Sequence, residues 1–453
     1  VHAPRGGPVA AAVLLLAFVV ALSGCSNIAG TARPTEDILV RPVDPSFVYG
    51  TDGSVVDTLA ATVVTDVQTY WSRAFPEHFG SPWRDIDGGF FSVDTTAENS
   101  APPPCTAEVA DLEGNAFYCA SVDAIAWDRA ALLPVLVEHY GQAAVLTVLA
   151  HEMGHAVHRR HDPASGDADT STRSALTEAI ADCYAGTYTR WVVDGHSARL
   201  HVRKAQLDGA MRALTSFRAP AGTAQSDADP HGTAFDRVSA FQDGYRGGPE
   251  VCAGMTVHNR RFTSAPVTSA PEPRNRPLEQ VLRSRTTVIR DYFTALVDRR
   301  GGHWATPPVR GSPPAGCATD HRAPVSYCPR PPAVVVDHRG LARVHHDIGD
   351  QASETALASR YARAALHALG TSTTAAGTAG RASCLTGAYT GSLLDDSRGH
   401  PPLSASDLDE AVTLLLSNEQ TDRAASATNA PTGFDRIAAF RAGMRGGPDA
   451  CRG

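Results

Sequence analysis

Five residues, His151-Glu152-Met153-Gly154-His155, carry the strongest chemical signal in this chain. They lie in the apolar run AAVLTVLAHEMGHAVH, whose pattern predicts one buried helix. Four residues apart on a helix, His151 and His155 project from one face toward one point. Two neutral imidazoles so placed make half of a tetrahedral zinc site, and Glu152 stands within reach of a water bound there. The apolar flanks argue against a solvated surface helix. Burying two histidines and a glutamate costs free energy unless a metal or a hydrogen-bond network compensates.

A second helix must complete the site. Thr177-Glu178-Ala179-Ile180-Ala181-Asp182 offers Glu178 as the third metal ligand. Asp182, one turn later, is placed to accept the Nδ1–H of a ligating histidine and fix its ring. The polar, turn-rich segment RRHDPASGDADTSTRSAL gives the chain room to come back against the first helix. Upstream, residues 57–74 read as an amphipathic helix and 115–128 as a strand running toward the metal helix. Residues 234–246 read as a terminal helix tied back by Cys252. The elements together predict an α+β, helix-rich fold with a small sheet.

The order HExxH then ExxxD resembles the gluzincin type of zinc metallopeptidase. The wider string resembles the bacterial neutral zinc metallopeptidase family over roughly residues 55 to 255. The matching stretches are AHEMGH (150–155), EAIADCYAG (178–186), FYCASVDAIAWD (117–128) and HGTAFDR (231–237). After the second ligand the chain reads AVHRRH, where the family carries an HVQ-like run. The resemblance implies a zincin-like fold with one zinc per chain on His151, His155 and Glu178. It also implies Asp123–Asp128 as a sheet edge that holds an extended peptide by strand addition. The expected reaction is peptide-bond hydrolysis by a zinc-bound water, with Glu152 as the base. His231 is the first candidate to stabilise the oxyanion. His158 and His161 are expected to face solvent.

The beginning of the sequence points to export. Residues 1–24 read as a lipoprotein signal peptide, a single Arg5 before an apolar stretch that ends in Leu22-Ser23-Gly24-Cys25. That ending resembles the bacterial lipobox, with the lipid on Cys25; a plain transmembrane anchor is the alternative. Residues 25–45 read as a flexible spacer. Either anchor places the rest on the extracytoplasmic face of a bacterial membrane. A formal net charge of −8 without a basic run argues against nucleic acid as a partner; the expected partners are a protein or peptide substrate and the membrane.

With Cys25 set aside, eight of the nine cysteines remain. They form two matching sets: Cys105, Cys119, Cys183, Cys252 and Cys317, Cys328, Cys384, Cys451. An exported protein favours disulfides, and local pairing predicts Cys105–Cys119, Cys183–Cys252, Cys317–Cys328 and Cys384–Cys451. Sequence alone permits other connectivities. The two sets mark a tandem duplication. TAFDRVSAFQDGYRGGPEVC (233–252) and TGFDRIAAFRAGMRGGPDAC (432–451) agree at 12 of 20 positions. ADCYAGTYT (181–189) likewise matches ASCLTGAYT (382–390). The expected division is a peptidase domain at 46–255, a linker at 256–276 and a degenerate copy at 277–453. In that copy Arg360, Tyr361 and Ala364 stand where His151, Glu152 and His155 stand in the first. Ala379, Ser383 and Ala430 replace Glu178, Asp182 and His231. Two other functions compete with the peptidase: a binding or structural lipoprotein with a vestigial site, and a zinc amidase acting on cell wall.

Overall fold

The helix that carries the motif, α2 (Gln142–His161), is buried along nearly its whole length and surfaces only in its last turn, His158 to His161. Those basic residues sit where the helix dipole favours positive charge. The protein is described here from a computed structural model covering residues 37–162, 171–216, 232–260, 263, 275–317, 323–372, 377–394, 403, 405–417 and 431–452. The signal peptide, Cys25 and His231 lie outside these described residues, as does most of the expected linker.

Helix α1 (Val55–Phe79) contains the expected 57–74 segment. The Ser54 hydroxyl accepts from Asp57 N at its start, and Gly80, at φ +70°, ends it in the left-handed conformation that lacks a Cβ penalty. Helix α3 (Ser171–Val193) carries Glu178 and Asp182; α4 (Leu207–Ser216) and α5 (Ala234–Gly247) follow. The strands β1 (Val48–Tyr49), β2 (Gly89–Val93), β3 (Ala116–Cys119) and β4 (Ala124–Asp128) form one sheet in the order β1-β2-β4-β3. β1, β2 and β4 are parallel, and β3 runs antiparallel to β4 with Ala116 opposite Trp127 and Cys119 opposite Ala124.

This sheet corrects two expectations. The single strand expected over 115–128 is a hairpin, turned at Asp123 with φ +57°, a conformation that a short polar side chain tolerates. Asp123–Asp128 is not a sheet edge: β4 lies between β2 and β3, and all five of its residues are buried. The strand at that end of the sheet is β3, which packs beside α2.

The second half has a similar order of elements, with three strands in its sheet where the first has four. Its helices are α6 (Thr286–Arg299), α7 (His338–Asp347), α8 (Asp350–Ala368), α9 (Thr378–Ser392), α10 (Ala405–Leu416) and α11 (Gly433–Gly446). Strands β5 (Val309–Arg310), β6 (Val325–Pro329) and β7 (Pro332–Val336) form a sheet in the order β5-β7-β6, again with one antiparallel hairpin. All four expected cysteine pairs are joined.

The described residues belong to one compact unit. The core around α2 continues into Leu408, Ala411, Val412 and Leu415 of α10 and Phe434, Ile437 and Phe440 of α11. A second core, around Phe293, Leu357, Tyr361 and Tyr389, belongs to the second half. The fold is thus α+β and helix-rich. Among the described residues no helix is long and apolar enough to cross a membrane.

Candidate metal centre

A glycine inside the motif sets the spacing of the two helices that build the site. A Cβ on Gly154 would lie 2.5 Å from the Ala181 carbonyl oxygen, so α2 and α3 approach here as closely as backbones can. Glu178 and Asp182 flank Ala181 by one turn or less, and this contact delivers both carboxylates to the histidine face of α2.

His151 Nε2, His155 Nε2 and the Glu178 carboxylate converge on one point. The two imidazole nitrogens are 3.2 Å apart, and Glu178 Oε2 and Oε1 lie 3.3 and 3.4 Å from His151 and His155 respectively. Three donors on a tetrahedral cation with bonds of about 2.0 Å would be about 3.3 Å apart. The donor set is therefore already spaced to fit a metal ion of that kind. Glu152 is buried with its Oε1 4.0 Å from His151 Nε2, beside the donors without displacing one.

Behind the donors stands a chain of charges. Asp182 Oδ1 accepts from His151 Nδ1 at 2.7 Å, which leaves the Nε2 lone pair to face the Glu178 side. Arg237, from the first turn of α5, donates to Asp182 twice, Nε to Oδ2 at 2.9 Å and Nη2 to Oδ1 at 3.0 Å. Asp182 is fully buried and Arg237 nearly so. Burial alone would raise the Asp182 pKa, but Arg237 and His151 hold it below the ordinary carboxylate value. Burial likewise opposes charge on His151, yet Asp182 and Glu178 overcome it and lift that imidazole to about 10. On His155 burial wins, bringing it down to about 4 despite Glu178. Metal binding at such a site competes with protons for the donor atoms.

The structure brings His151, Glu152, His155, Glu178 and Asp182 together as the spacing predicts. His158 is half-buried, and burial pushes its pKa down; the expected solvent exposure holds only for His161, whose ring lies 4.3 Å from that of Phe79. Arg237 was missed, although it closes HGTAFDR. Its signal was a full charge inside the apolar stretch AFDRVSAF, which folding buries only with a partner.

Comparisons of the chain with protein-family models, curated proteins and solved structures found no match.

Proposed function

We propose that the chain is a zinc-dependent metallopeptidase, a member of the bacterial neutral zinc metallopeptidase family, anchored through a lipid on Cys25 at the extracytoplasmic face of the membrane. On this reading residues 46–255 and 277–453 are tandem copies of a zincin-like fold, and only the first keeps its chemistry. The observation that carries the reading is the convergence of His151 Nε2, His155 Nε2 and Glu178, each pair within 3.4 Å, with Asp182 behind and Glu152 beside. One zinc per chain, when bound, supplies a Lewis acid that lowers the pKa of water toward about 7 and polarises the scissile carbonyl.

The remaining work falls to the chain's own residues. Asp182 keeps the His151 ring in one tautomer and one orientation, and Arg237 keeps Asp182 charged and in place. Glu152 takes the proton of the attacking water and passes it to the leaving amine, so the amide C–N bond breaks as the C–O bond forms. The edge strand β3, beside α2, is the element placed to pair with an extended peptide backbone. Glu152→Gln keeps the shape and loses the base. It should retain zinc while hydrolysis of unfolded protein substrates falls by about 10²- to 10⁴-fold. Unchanged turnover in that variant would refute the assignment; cleavage of cell-wall amides but not of peptides would redirect it.

A further inference from the structure

The two halves meet through contacts that nearly repeat under exchange. α4 begins Leu207-Asp208, and the matching stretch of α10 is Leu408-Asp409. Asp208 accepts from Gly433 N and Phe434 N, at 2.7 and 2.8 Å, in the first turn of α11. Asp409 accepts from Phe235 N, at 3.0 Å, in the first turn of α5. Each aspartate therefore satisfies amide groups that open the other half's terminal helix, where a carboxylate also meets the positive end of the helix dipole. Between them Arg441 donates to Gln242, at 3.0 Å, and these two residues hold equivalent positions in the aligned terminal segments. The arrangement is that of an isologous dimer interface, here within one chain.

Only one side of this exchange ends at the candidate metal centre. Phe235, held by Asp409, is two residues from Arg237, which grips Asp182, which in turn orients His151. On the other side the equivalent arginine, Arg436, donates to the carbonyl oxygens of Leu415, Pro431 and Ser417 instead. We infer that Asp409, supplied by the half that lacks the site, is a positioning residue for the metal centre. It fixes the start of α5 so that Arg237 and Asp182 hold His151 in its ligand orientation. The second half thus does for the first what a partner subunit would do. The inference rests on the metallopeptidase reading.

The test uses the full chain and zinc itself, with affinity read by competition against a chelator. Asp409→Ala is expected to weaken zinc about tenfold or more, the loss typical when a group supporting a metal ligand is removed. Asp208→Ala, which removes the reciprocal contact, should stay within about twofold of the wild type. Asp409→Asn keeps an acceptor oxygen and should recover most of the affinity. Should Asp409→Ala not fold, the pair Asp409→Glu and Asp208→Glu takes its place, with the same ordering expected. Equal losses in the two aspartate variants, or wild-type affinity in Asp409→Ala, overturns the inference while leaving the metal reading intact. A wild-type protein that takes up no zinc overturns both.

Discussion

Helices α2, α3 and α5 of the first half stand in the same sequence order as α8, α9 and α11 of the second, and the aligned residues differ where the first could do chemistry. What both keep is packing. Cys183–Cys252 and Cys384–Cys451 tie the turn that follows α5 back to α3 and the turn that follows α11 back to α9. Gly244 and Gly443 each sit where any side chain would collide with the carbonyl oxygen of Cys183 or Cys384. What the second half lacks is the set of inward-facing polar groups. Arg360, in the place of His151, donates to the Val325 carbonyl, and Tyr361, in the place of Glu152, donates to that of Pro307. Ser383, where Asp182 would stand, turns back to its own helix at Ala379 O. Arg363 stands in the place of Gly154, whose missing Cβ lets α2 meet the Ala181 carbonyl. Disulfides, close-approach glycines and apolar cores recur in both halves, whereas the histidine and carboxylate cluster stands in the first.

The arginine kept in both halves offers the sharpest way to break this comparison. Arg237 neutralises a fully buried carboxylate, whereas Arg436 donates its hydrogen bonds to backbone carbonyls. Arg237→Ala should cost about 3–5 kcal/mol, because Asp182 is left buried and uncompensated. Arg436→Ala should cost less, and denaturant unfolding of the two variants measures the difference. Equal costs would mean that Asp182 is not held as a charge.

A smaller effect tests the helix approach. Gly154→Ala places a methyl group against the Ala181 carbonyl, and should destabilise by about 1–3 kcal/mol. It should also weaken metal binding by moving Glu178 away from His151. An unaltered melting temperature and affinity would show that α2 and α3 need no glycine there.

A third test lies in the second half. Glu410 sits with Asp350 and Asp407 and accepts from Gln351 N and Ala352 N at the start of α8. Burial, helped by Asp350 and Asp407, raises its pKa from 4.5 to about 8 against the pull of those two amides. The folded protein therefore binds this proton more tightly than the unfolded chain does. Its contribution to stability is complete below about 4.5 and is lost as pH rises toward 8. Glu410→Gln should flatten that part of the stability profile, measured as melting temperature against pH. A profile identical to the wild type would contradict the assignment.

The candidate metal ligands were legible because a fixed spacing on a helix leaves few directions for side chains to point. His151, His155, Glu178 and Asp182 needed only the helical repeat, and the buried character of α2 followed from its apolar flanks. The cysteine pairs were legible because the two halves repeat their order. Other features depend on partners distant in sequence. Nothing in AIAWD says that Gly89–Val93 covers one side of it and Ala116–Cys119 the other, so a buried central strand passed for an edge. Asp123 reads equally as strand or turn until its positive φ is seen. Asp208 and Asp409 look like ordinary exposed charges in helices, and their hydrogen bonds to the opposite half depend on the docking of the halves. Arg237 recurs as Arg436 in the second half, where the histidine motif does not, so its presence alone did not separate structure from chemistry.

The most direct measurement is metal content per chain on protein beginning after Cys25, beside a variant carrying His151→Ala and His155→Ala. One zinc per wild-type chain and none in the variant is the predicted result, and it would place the site in the first half alone. Wild-type protein that takes up no zinc when incubated with excess metal, or a variant that keeps its zinc, would contradict the account.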